Sequence, residues 1–154
     1  MSETSFTFTI QGDSEGYVTF ECPFCGSEFK LQAGEYQDDN YPFEDLFCPY
    51  CGLTRERQAF LSKEVIEKIQ AIAENYMIEQ LNKSFKKMSR SVNNSEHGII
   101  KMTYKPLKKV AVKELKDKDT VEAEFKCNCC EHRVKVLYCA GASKIFCPYC
   151  GVDI

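Results

Sequence analysis

The chain of 154 residues has no apolar run approaching the roughly 20 residues that a membrane-spanning helix needs. Its first residues, Met1-Ser2-Glu3-Thr4, show no basic region followed by an apolar stretch, so no export signal is read there. The expected compartment is the cytoplasm, which is reducing and where disulfides do not persist. Low-complexity segments are absent, and only two histidines and five prolines are present. There is no phosphate-binding loop, no clustered histidine–carboxylate set and no nucleophile beside a base. An enzyme is therefore not expected, nor a small-molecule substrate. What the chain has instead is ten cysteines, in a composition (44% hydrophobic, 28% charged) that is globular rather than disordered. In a reducing compartment they must serve metal, redox chemistry or burial.

Eight of the cysteines form four C-x-x-C pairs: Cys22/Cys25, Cys48/Cys51, Cys127/Cys130 and Cys147/Cys150. The pairs fall into two couples, with 22 intervening residues in the first and 16 in the second. Two residues between cysteines let one tight turn aim both sulfurs at one ion. A second such turn, brought alongside by a hairpin, completes the tetrahedron that zinc prefers. Three pairs read C-P-x-C-G: Cys22-Pro23-Phe24-Cys25-Gly26, Cys48-Pro49-Tyr50-Cys51-Gly52 and Cys147-Pro148-Tyr149-Cys150-Gly151. Proline fixes φ at the turn, and glycine permits a positive φ just after it. These knuckles resemble those of the zinc-ribbon superfamily, over residues 17–52 and 121–151. The pair Cys127-Asn128-Cys129-Cys130 departs from the pattern, lacking both proline and glycine.

The two couples read as copies of one unit. Tyr17–Cys22 has a counterpart in Glu122–Cys127, Glu28–Leu31 in Arg133–Val136, and Leu46–Gly52 in Ile145–Gly151. Each copy reads as strand, knuckle, strand, loop, strand, knuckle. Alternation around Phe20, Phe29 and Phe47, and around Phe125, Val134 and Phe146, predicts short half-buried strands. A unit of about 35 residues buries too little apolar surface to stand alone, and bound zinc supplies about 10 kcal/mol or more. Two Zn²⁺ are expected, both structural, since four protein sulfurs leave no position open for a catalytic water.

Cys129 and Cys139 fall outside the repeat and read as reduced thiols; either could instead replace Cys130 as a ligand. His132 aligns with Ser27 and reads as a surface residue, and His97 has no motif around it. Cys-Pro-Tyr-Cys, present twice, is also the active-site motif of glutaredoxins, which leaves a remote thiol-redox reading. That chemistry needs the first cysteine at a helix N-terminus. Glycine follows Cys51, Pro42 and Pro106 lack the required setting, and only Gly151–Ile154 follow Cys150.

Residues 62–90 read as one long amphipathic helix, with Ser62 as N-cap and Glu64 in the first turn. Val65, Ile69, Ile72, Tyr76, Leu81, Phe85 and Met88 form its stripe, widened by Ile66, Ala73 and Met77. At 1.5 Å per residue it spans about 43 Å, more than a ribbon can cover. It reads either as a spine within the chain or as a surface for self-association or a protein partner. Ser91–Gly98 reads as a flexible loop. Ile99–Tyr104 and Val110–Leu115 read as strand-like.

The formal net charge of -3 conceals a dipole: residues 1–50 carry -9 and residues 83–118 carry +8. Lys83, Lys86, Lys87, Arg90, Lys101, Lys105, Lys108, Lys109 and Lys113, with Lys116 and Lys118, supply the positive charge. One expectation is contact with DNA or RNA phosphates. A single arginine among them favours backbone contact over base readout. The other expectation is that this segment complements acidic protein surfaces.

The sequence thus predicts an α+β chain: an N-terminal zinc ribbon (1–61), a connecting helix (62–90), a basic strand-forming segment (91–120) and a C-terminal ribbon (121–154). The expected function is that of a protein-interaction adaptor or accessory subunit, with nucleic-acid binding as the alternative.

Overall fold

A computed structural model describes residues 4–40, 43–95, 98–117, 122–137 and 144–154. Pro42, His97, Lys118 and Cys139, all considered above, lie outside the described residues. The chain is α+β, with small antiparallel sheets and one long helix. It divides into two units: Phe8–Ile66 with Glu114–Ile154, and Met1–Thr7 with Glu67–Lys113.

In the first unit, β1 (Tyr17–Glu21) and β2 (Glu28–Gln32) form one hairpin, and β5 (Glu122–Lys126) and β6 (Arg133–Leu137) form another. The hairpins share a single sheet of order β1-β2-β6-β5, joined by Lys30 opposite Lys135 and Leu31 opposite Val134. An isolated two-stranded hairpin is marginal in water, and joining inner edges leaves two exposed edges where there were four. One face carries Phe20, Phe29, Leu31, Val134 and Val136, all buried. They pack with Leu46, Phe60, Ile145, Tyr149 and the cysteine sulfurs in one core. The opposite face is polar. There Lys30 and Lys135 would repel one another, but Lys30 pairs with Asp13 at 3.1 Å and Lys135 with Glu15. Lys135 also lies over the Tyr17 ring, 4.3 Å from its centroid.

A second, two-stranded sheet joins β3 (Asp45–Phe47) to β4 (Thr54–Glu56). The copies interlock reciprocally at this level. Phe47 N–H donates to Pro148 C=O at 2.8 Å, and Phe146 N–H donates to Pro49 C=O at 2.9 Å. A short helix, α1 (Ala33–Tyr36), follows β2, and its Glu35 accepts from the Arg133 guanidinium at 2.7 Å.

The second unit is built on α2 (Lys63–Asn93), three residues longer at its C-terminal end than the periodicity predicts. Its only buried residue is Val65, which belongs to the sheet unit. No described residue between 67 and 113 is buried. Among the described residues no helix is long and apolar enough to cross a membrane.

The strands predicted at Ile99–Tyr104 and Val110–Leu115 do not form; from 99 to 113 there is no strand. The reason is a ladder of helix side chains that takes the place of a partner strand. The Asn75 amide donates to Val110 C=O at 2.8 Å and accepts from Val110 N–H at 2.7 Å. Asn82 does the same with Leu107, at 2.9 and 2.8 Å. Asn93 does so with Met102, at 3.1 and 3.0 Å, and Ser89 adds a bond to the same carbonyl at 2.8 Å. The partners run in opposite directions. Seven helix residues, about 10.5 Å, match three in the segment, and eleven, about 16.5 Å, match five. The ratios give about 3.5 and 3.3 Å per residue, close to the rise of extended chain. Asn82→Ala is expected to raise amide exchange at Leu107 about fivefold, the effect of roughly 1 kcal/mol, with the helix intact. Unchanged protection by hydrogen-exchange NMR would show that the ladder does not hold the segment.

Candidate metal centres

Each knuckle begins with a turn closed by one hydrogen bond between backbone groups. Gly26, Gly52 and Gly151 donate to the carbonyls of Cys22, Cys48 and Cys147 at 2.9, 2.9 and 2.8 Å. These glycines have φ of 70°, 71° and 73°, the left-handed region. The turn leaves N–H groups aimed at sulfur. Phe24 and Cys25 donate to Cys22 Sγ at 3.4 and 3.5 Å, and Tyr50 and Cys51 to Cys48 Sγ at the same distances. Such bonds favour the thiolate, the form that binds metal.

The irregular knuckle makes the same turn without glycine. Glu131 donates to Cys127 C=O at 3.0 Å and adopts φ 63°, the only positive φ outside glycine among the described residues. The turn thus tolerates a non-glycine residue, at a cost of about 1–3 kcal/mol for the left-handed conformation. Glu131→Gly is expected to stabilise the chain by about 1 kcal/mol, raising Tm by about 2–4 °C. A melting curve that is unchanged or shifted down would refute this.

The hairpins bring the eight paired cysteines into two groups, Cys22/Cys25/Cys48/Cys51 and Cys127/Cys130/Cys147/Cys150, with the sulfurs of each within 4.8 Å of one another. Cys22 to Cys51 is 3.8 Å and Cys25 to Cys48 is 3.7 Å; Cys127 to Cys150 is 3.6 Å and Cys130 to Cys147 is 3.5 Å. A tetrahedral ion with metal–sulfur bonds of about 2.3 Å has sulfur–sulfur edges of about 3.8 Å. Each group can therefore hold one metal ion on four protein ligands. Cys22, Cys48, Cys127 and Cys147 are buried, so one side of each site is walled by the core.

The thiols differ in acidity. Burial pushes Cys48, Cys147 and Cys22 up, and Cys130 up to about 11. Against the same burial, hydrogen bonds from Ser27 hold Cys25 at about 7. Backbone N–H groups of Cys130 and Cys129 do likewise for Cys127, at about 7. Metal binding requires the thiolate form and releases the thiol protons to solvent, so metal affinity rises with pH.

Cys129 is exposed and outside the second group, and the nearby Cys150 thiol acts to raise its own. His132, expected at the surface, is half-buried and stacked on Tyr149, with ring centroids 4.3 Å apart. It holds that knuckle by packing and is not among the ligands. The first Cys-Pro-Tyr-Cys segment does not open a helix. Strand β4, not a helix, follows Cys51, and burial raises the Cys48 thiol rather than activating it.

The basic residues lie elsewhere. Lys83, Lys86, Lys87 and Arg90 are exposed on α2, and Lys101, Lys105, Lys108, Lys109 and Lys113 are exposed on the segment along it. Glu79 pairs with Lys83 at 2.8 Å and Lys109 at 3.1 Å. The ladder of Asn75, Asn82, Ser89 and Asn93 escaped the sequence reading, although its spacings of seven, seven and four mark one helix face. No protein-family model, curated protein or solved structure matches the chain.

Proposed function

We propose that the chain is a non-enzymatic protein-interaction adaptor or accessory subunit, built on two structural zinc sites of the zinc-ribbon kind. Thiolate ligands at these distances favour zinc, and four of them leave no open position for catalysis. Such reduced ligands suit the cytoplasm. The observation that carries the reading is α2: a 31-residue helix whose apolar side chains Met77, Leu81 and Met88 stay exposed, in a unit with no buried described residue between 67 and 113. An apolar stripe of that length facing water marks an interaction surface. Affinity capture on the full chain, compared with Leu81→Glu, tests it. A bound chain lost in the variant supports the reading, and identical capture refutes it. Native mass spectrometry should find two zinc ions per chain.

A second reading, binding of nucleic-acid phosphates by the basic segment 83–118, is favoured by the asparagine ladder. It fixes the backbone at Met102, Leu107 and Val110, so the intervening lysines are displayed in register at little further entropic cost. A salt titration against DNA and RNA decides it. Absence of binding at low salt, or binding unchanged by converting Lys105, Lys108 and Lys109 to glutamate, excludes this reading.

A further inference from the structure

The face of α2 opposite the asparagines carries Ile66, Ile69, Ala73, Met77, Leu81 and Met88, at spacings of three, four, four, four and seven. Five of the six are exposed: Ile66 42%, Ile69 36%, Met77 58%, Leu81 45% and Met88 46%. The extended segment satisfies the other face and leaves this one to water.

Two features define what fits it. The first is mirror spacing. Counting outward from Met77, Ala73 and Leu81 lie four residues either side, and Ile66 and Met88 lie eleven either side. When two identical helices pair antiparallel about a two-fold axis at Met77, Ala73 of one copy meets Leu81 of the other, small against large. Ile66 meets Met88. A self-complementary patch of this kind is what an isologous contact requires.

The second is charge. Lys63–Glu79 carries four acidic and two basic residues, and Gln80–Asn93 carries four basic and none acidic. This gradient suits the dipole of the single helix. It also decides direction. A parallel pair would set four cations beside four cations, whereas an antiparallel pair sets the basic half of each copy along the acidic half of the other. From Ile66 to Met88 the seam would run about 33 Å.

We propose that a second copy of this chain covers this face, with the two α2 helices antiparallel and the axis at Met77. The inference rests on the reading of α2 as an interaction arm and names its occupant. Light scattering on the full, metal-loaded chain should give twice the 17.7 kDa of one chain. Met77→Lys brings two cations together on the axis. It should raise the dimer dissociation constant by about a hundredfold, with helix content and metal stoichiometry unchanged. With p-benzoylphenylalanine in place of Met88, photo-crosslinking should join that position to the segment around Ile66 of the other copy. A wild-type monomer at every concentration tested, a dimer indifferent to Met77→Lys, or a crosslink from 88 to 88 would each overturn the proposal. If the chain is monomeric yet loses a different protein on Met77→Lys, self-pairing falls while the adaptor reading stands. If it is monomeric and capture is also unchanged, both fall.

Discussion

Replacing Cys48 by serine is expected to unfold both hairpin units together, with loss of both metal ions rather than one. Cys48 is fully buried, and its backbone closes the knuckle of the first site. A structural zinc site contributes about 10–16 kcal/mol to folding, comparable to or larger than the whole stability of a typical domain, about 5–15 kcal/mol. Losing one site would therefore be enough to unfold the first copy. The second copy should follow because the two are not independent. They share the β2–β6 pairing, the crossed bonds from Phe47 to Pro148 and from Phe146 to Pro49, and one core. The glycines reinforce the interlock. A Cβ on Gly151 would lie 2.9 Å from the Phe47 ring, and one on Gly52 3.1 Å from the Phe146 ring. Native mass spectrometry and circular dichroism check this. A Cys48→Ser chain retaining one ion, with amides of β5 and β6 still protected, would show that the copies fold separately. Cys129→Ser, exposed and outside the ligand group, should change stability by less than about 0.5 kcal/mol.

The metal centres were legible because their information is local. A C-P-x-C-G knuckle specifies its own turn, and two knuckles at hairpin distance specify a tetrahedron. Burial of Phe20, Phe29 and Val134 was legible for the same reason, since period two belongs to a strand alone. The joining of the hairpins was not. It depends on Leu31 finding Val134, 103 residues away, and no periodicity encodes which edges meet. The basic segment misled for a subtler reason. Val110 and Val112 carry β propensity, but the partner donors and acceptors sit on helix asparagines, so extended chain forms without a strand. The asparagines were visible and unused, because mid-helix asparagine ordinarily signals only weak helix propensity.

Asp13→Ala is expected to cost about 3–5 kcal/mol, the next largest effect after loss of a metal ligand. Lys30 and Asp13 pair at 3.1 Å with side chains 3% and 2% exposed. Asp13 also accepts from the N–H groups of Tyr17 at 2.9 Å and Glu15 at 3.1 Å, so the substitution removes a charge and two turn-forming bonds. It leaves a buried ammonium directly across the strand from Lys135, at the register that joins the two hairpins. Burial acts to raise the Asp13 carboxyl, but the Tyr17 N–H, Lys30 and the Glu15 N–H together hold it below its ordinary value. A depressed carboxyl stabilises the fold at every pH above its unfolded value, about 3.9, and stops doing so only as pH falls through the lower folded value. The difference between wild type and Asp13→Ala should therefore stay flat from pH 8 to pH 5, a range in which the Asp13 carboxyl stays ionised. Thermal melts should show a Tm lower by about 6–20 °C throughout it. Asp13→Asn keeps an oxygen for the N–H bonds and loses only the charge, so it should fall between the two. If Asp13→Asn matches wild type, the charge on Asp13 adds nothing and the hydrogen bonds carry the turn. If the gap instead widens steadily toward pH 5, the group that titrates is not Asp13.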